Sequence, residues 1–168
     1  MNAATEFDLG PLTWVKGEID LALARATEAL GQHELSGEAT QLRFCRTHVH
    51  QVHGALSIVG LDGVTQVTES LEALLSALEE RRLQLTAEIV ATLTQAMAAL
   101  GKYLDDLVAG EPNQPLRLLP AYQALAAARG QGACSPTDLF YPDLSLRPTK
   151  RAVPVAPLSA EQLHTLLK

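Results

Sequence analysis

Between residues 12 and 111 the apolar positions recur at intervals of three and four, the spacing that lines them along one side of a helix. Four helices are read there. The first spans roughly 11–31, with Pro11 in its first turn, Trp14, Val15, Ile19, Leu23 and Leu30 on one side, and Gly31 as its stop. The second runs from about 38 to 59 and ends at Gly60. The third opens after Asp62 and continues to about 82, with Val64, Val67, Leu71, Leu74, Leu75 and Leu78 facing inward. The fourth follows Thr86 as N-cap, carries Ile89, Leu93, Met97, Leu100, Leu104 and Leu107, and ends at Gly110. Short connections between such helices favour an antiparallel bundle, so the expected class is all-α.

Proline draws the outer boundary. The nine prolines fall at 11, 112, 115, 120, 136, 142, 148, 154 and 157, which leaves 12–111 free for long helices. Beyond Gly110, a fifth helix is expected over 115–129, with Leu116, Leu119, Tyr122 and Leu125 packed on the bundle. The stretch 132–157 holds five prolines and reads as irregular chain, partly docked through Leu139, Phe140, Tyr141 and Leu144. Ser159 caps the start of a further helix that Lys168 cuts short, which points to a piece of a longer protein. The expected organisation is a bundle over 8–130 with an extra C-terminal helix, followed by a proline-rich tail over 131–168.

Composition narrows the function classes. The chain is 47% hydrophobic but only 4% aromatic, a helix-rich balance. A net charge of −6 argues against nucleic acid as a partner, because neutralising phosphates needs a surplus of Lys and Arg. There is no apolar run of membrane-spanning length and no signal-type N-terminus, so a cytoplasmic location is expected. Cys45 and Cys134 lack metal-ligand spacing and read as reduced thiols.

The informative segment is the second helix. Leu42, Cys45, Val49, Val52, Leu56 and Val59 form a continuous seam toward the core. At about 100° per residue, His50 falls roughly 130° from the seam's centre. It therefore faces solvent with Arg43, Thr47, Gly54 and Ser57, and with Arg46 somewhat nearer the core. His48 and His53 lie on opposite flanks, half-buried. Gly54 costs the helix about 1 kcal/mol relative to alanine. One turn beyond His50, it leaves a bare patch where another backbone could approach the imidazole. An exposed nucleophilic nitrogen, open space beside it and nearby cations suit transfer of a phosphoryl group between proteins.

Other readings carry less. His48 and His50 point about 200° apart and cannot share an ion, so no metal is expected. No Gly-rich phosphate loop or catalytic triad is present, so no cofactor is expected and the chain cannot phosphorylate itself with ATP. Glu79-Glu80-Arg81-Arg82 reads as a solvated helix end, and Trp14 as a core or interface residue.

The run His50-Gln51-Val52-His53-Gly54-Ala55-Leu56-Ser57-Ile58-Val59-Gly60 resembles the pattern His-x-apolar-Lys-Gly-x-x-x-x-apolar-Gly of histidine phosphotransfer (HPt) domains, with His53 in place of the lysine. Residues 71–78 and 83–86 resemble the third and fourth helices of the HPt domain in CheA-type chemotaxis kinases. Residues 8–20 and 138–144 are similar to the N-terminal region of the large pilus-associated chemosensory kinases of the ChpA type and their kinase-less relative FimL. The resemblance implies an HPt-type bundle with His50 as phosphoacceptor, Glu72 orienting its imidazole and His53 partly replacing the lysine that holds the phosphate. Gly54, Arg43, Arg46 and Ser57 would form the binding surface around it. The implied partners are a kinase ATP-binding domain and a response-regulator receiver, with pilus or polar-localisation proteins beside them, and the parent protein would be a histidine kinase. Glu69 stands where CheA-type domains often have a second histidine. The alternative is a degenerate HPt-like adaptor that binds signalling or pilus partners without phosphotransfer.

Overall fold

A computed structural model describes residues 8–140 of the 168. Among them are five α-helices, two short 3-10 turns and no strand, so the all-α reading holds. The first helix, α1 (Gly10–Ser36), runs past Gly31 and stops at Gly37, whose φ of 69° provides the left-handed C-cap. Gly31 stays helical because the good helix formers Gln32, Glu34 and Leu35 follow it. Gly37 sits at the tight turn into the next helix. The buried face of α1 is Leu12, Ile19, Ala22, Leu23, Ala26, Ala29 and Leu30. Its three alanines let the neighbouring backbone approach closely. Trp14 falls off this face and is 89% exposed, so it does not belong to the core.

The second helix, α2 (Ala39–Val59), packs along α1 and buries Leu42, Cys45, Val49, Val52 and Leu56 as the seam predicts, with Val59 half-buried. Burial pushes the Cys45 thiol up to about 12, so it remains a neutral core group. Gly60, at φ 82°, ends the helix, and the amides of Gly60 and Leu61 both return to the Leu56 carbonyl. This turn buries Leu61 and launches α3 (Asp62–Glu79) back along α2.

The third helix is shorter than expected. It ends at Glu79 because Arg81 takes a left-handed φ of 56° and the amides of Arg82 and Leu83 both close on the Ala77 carbonyl. That turn brings Leu83 and Leu85 against the edge of the core. Thr86 then caps α4 (Ala87–Val108), accepting from the Ile89 amide at 3.2 Å. Lys16 of α1 reaches across to Asp105 of α4 at 2.6 Å.

The expected fifth helix is divided. Pro115–Leu118 forms a 3-10 turn and α5 (Leu119–Ala128) follows with Pro120 in its first turn, because the missing proline N–H cannot continue a helix begun at 115. The register shift buries Leu118 and Leu125, leaves Leu119 and Tyr122 half-buried, and turns Leu116 outward. Helix α5 touches both α3 and α4, so the helices close in the order α1, α2, α3, α5, α4.

Past α5, Ser135 caps a second 3-10 turn, Pro136–Leu139, through a reciprocal capping box with Asp138. Leu139 docks in the core as expected, whereas Phe140 points outward. The expectations for Tyr141, Leu144, the proline-rich chain to 157 and the helix after Ser159 lie outside the described residues. No helix among the described residues is long and apolar enough to cross a membrane.

Gly63 is where this C-terminal segment closes on α3. A Cβ there would lie 2.7 Å from the Leu139 carbonyl oxygen and 2.7 Å from the Pro115 ring. Overpacking of this kind costs about 1–3 kcal/mol. Gly63→Ala should therefore lower the urea midpoint and expose the chain after α5 to limited proteolysis, while Gly54→Ala, whose Cβ meets nothing within 4 Å, should do neither.

Candidate functional site

Helices α2 and α3 lie antiparallel across the Gly60 turn, and their register decides which side chains meet. His50 is exposed over 72% of its side chain, and its Nδ1 lies 3.1 and 3.2 Å from the two carboxylate oxygens of Glu72. An ionised carboxylate only accepts hydrogen bonds, so Nδ1–H donates, and in the neutral imidazole Nε2 keeps its lone pair. Nε2 lies on the opposite side of the ring from Glu72 and faces away from α3. An imidazole held this way is a nucleophile with one defined attacking atom.

Two turns away, the same register sets Glu79 opposite the arginines of α2. Arg43 Nε donates to Glu79 Oε1 at 3.1 Å, and Arg46 Nε lies 2.9 Å from Glu79 Oε2 in a charge contact. The expected basic strip is therefore anchored to α3 rather than loose in solvent. Arg46, Thr47, His50 and Glu72 line a shallow pocket of about 350 Å³ immediately beside the exposed imidazole. Thr47 donates its hydroxyl to the Arg43 carbonyl.

The remaining expected residues divide between this site and its surroundings. His53, half-buried, is bonded through Nδ1 to Thr68 Oγ1 at 3.0 Å, and its ring lies nearly parallel to that of His50 with centroids 6.3 Å apart. Gly54 opens onto empty space. Ser57 is exposed and donates to the His53 carbonyl. His48 lies on the far flank, its Nδ1 3.0 Å from Gln51 Oε1. Glu69 is exposed one turn before Glu72.

Sequence reasoning missed Glu79 and Thr68. Glu79 was expected in a solvated helix end, yet it is half-buried and holds both arginines; only Glu80 and Arg82 form the exposed local pair. The signal was available: the register that sets Glu72 against His50, carried two turns along each helix, sets Glu79 against Arg43. Thr68 lies on the same line, level with His53.

No curated protein and no solved structure matches the chain. Residues 12–103, more than half of the chain, match the family model described as the Hpt domain and contain α2, α3 and every side chain of the site. The chain thus belongs to the Hpt domain family, with a histidine phosphotransfer role in two-component signalling.

Proposed function

We propose that His50 accepts a phosphoryl group on Nε2 from a histidine kinase and passes it to an aspartate of a response-regulator receiver. The observation that carries this is the exposed imidazole with Nδ1 committed to Glu72. The Nε2 lone pair attacks the γ-phosphorus of ATP held by the kinase domain. The N–P bond forms as the bond to the departing ADP oxygen breaks. The ring then carries a positive charge, which the Glu72 carboxylate on Nδ1–H offsets. In the onward step an aspartate oxygen attacks phosphorus, the N–P bond breaks, and its electron pair returns to Nε2. Magnesium for that step belongs to the receiver.

The surrounding residues have roles in this reading. Arg46 engages Glu79 through Nε, which leaves the terminal nitrogens of its guanidinium to meet phosphoryl oxygens in the pocket. Arg43 and Ser57 flank the approach, and Gly54 leaves room for a receiver backbone. The phosphotransfer unit is the bundle over 8–130, onto which the start of the 131–168 segment docks through Leu139, and it works in the cytoplasm. The likeness of residues 8–20 and 138–144 to ChpA-type kinases supports a chemosensory system serving pilus-driven motility, with a kinase as the parent protein.

The adaptor reading is favoured by His53 and Glu69, which replace residues common in CheA-type domains. The two readings separate in variants. His50→Gln should abolish base-stable, acid-labile label from a cognate kinase and ATP, while Glu72→Ala should slow labelling roughly ten- to a hundredfold through loss of a charged hydrogen bond. Label that persists in His50→Gln would refute the assignment.

Gly54→Leu gives the second test. Filling the bare patch should weaken receiver binding and onward transfer, while the helix gains up to about 1 kcal/mol from losing an interior glycine. A variant with wild-type transfer kinetics would remove the patch from the docking surface. Failed partner binding in a domain that never labels would decide for the adaptor.

A further inference from the structure

Thr68 is fully buried on α3, and its hydroxyl has a single hydrogen, which it donates to the Thr65 carbonyl at 2.7 Å. The 3.0 Å contact between His53 Nδ1 and Thr68 Oγ1 can then run in only one direction, from imidazole to hydroxyl. A freely turning hydroxyl would suit either tautomer of the histidine. This one does not turn, because pointing its hydrogen elsewhere would leave two oxygens 2.7 Å apart with no hydrogen between them. His53 is therefore held with its proton on Nδ1 and its Nε2 on the side of the ring away from α3. His50, bonded to Glu72 through its own Nδ1, presents Nε2 in the same sense, and the two rings lie within 21° of parallel.

We infer that Thr68 is a positioning residue for phosphotransfer: it aims His53 Nε2 at the phosphoryl group on His50, so that His53 grips phosphate only when protonated. This rests on the reading of His50 given above. With Nδ1–H committed to Thr68, a neutral His53 turns a lone pair toward phosphoryl oxygens and repels them. A protonated His53 turns an N–H and a positive charge toward them. A lysine offers its N–H donors and charge without regard to tautomer; an imidazole held with Nδ1–H on Thr68 offers a donor at Nε2 only in its protonated form. The titratable and charged groups sharing this face are His50 and Arg46 on α2 and Glu69 and Glu72 on α3. The sign follows: stabilisation of the phosphorylated form by His53 is present at low pH and is lost as pH rises.

Long-range proton–nitrogen NMR on the unphosphorylated full chain, with His53 neutral, tests the hold directly. Wild type and Thr68→Ser should show the Nδ1–H tautomer, and Thr68→Val should move toward the Nε2–H form that free histidine prefers. An Nε2–H tautomer in wild type, or no change in Thr68→Val, would overturn it. The clamp is tested by loading His50 with phosphoramidate and following phosphohistidine lifetime from about pH 6 to about pH 8.5, across the range where imidazoles titrate. Thr68→Val should shorten the lifetime about tenfold at the low end, the size of one charged hydrogen bond, and should not shorten it at the high end. Relative to wild type, His53→Lys should lengthen it progressively toward high pH. A loss uniform across pH, or none, would overturn the clamp. Failure of His50 to label would overturn both the function proposed above and the clamp, while the tautomer spectra would still decide the role of Thr68.

Discussion

Every contact at the site depends on the register between α2 and α3, and the turn at Gly60 pins that register. Only a residue at positive φ closes the turn in which the Gly60 and Leu61 amides return to Leu56. Leu61 then seals it from inside the core. From that point the helices run back along each other, so His50 meets Glu72, His53 meets Thr68, and Arg43 and Arg46 meet Glu79. A slip of one residue would rotate each partner by about 100° and dissolve all of these contacts together.

The energies divide the labour. Each fully buried seam residue of α2 contributes about 1.5–3 kcal/mol through removal from water. A hydrogen bond at the surface contributes about 1 kcal/mol. The bundle therefore stands on Leu42, Val49, Val52 and Leu56, and the imidazole can be exposed and chemically available without cost to the fold. Burial of the seam fixes the direction in which His50 points. Glu72 then fixes only the rotation of its ring and the place of its proton. Helix α5 and the turn carrying Leu139 cover the other side of α3, closing the bundle away from the site.

Much of this was legible in the residues because the governing patterns are local. The seam Leu42 to Leu56 placed His50 outward, and Gly60 and Thr86 marked their helix ends by turn and cap chemistry. The errors arose where a local signal met a long-range demand. Gly31 looked like a stop, but the tight turn into α2 uses Gly37. Trp14 reads on the apolar side of the first helix, while alanines occupy the close-packed face and leave it exposed. Pro120 divided a segment whose spacing alone reads as one helix. Glu79 and Thr68 depend on cross-helix register, which spacing within a single helix does not report.

The central claim is that Glu72 holds the Nδ1 proton of His50 and leaves Nε2 as the attacking atom. The regiochemistry of the phosphorylated chain tests it most directly. Phosphorus–nitrogen correlation NMR on the loaded, nitrogen-labelled protein should find all phosphate on Nε2 of His50, with Nδ1 still protonated. Phosphate on Nδ1 of His50, or on the ring of His53 or His48, would contradict the account.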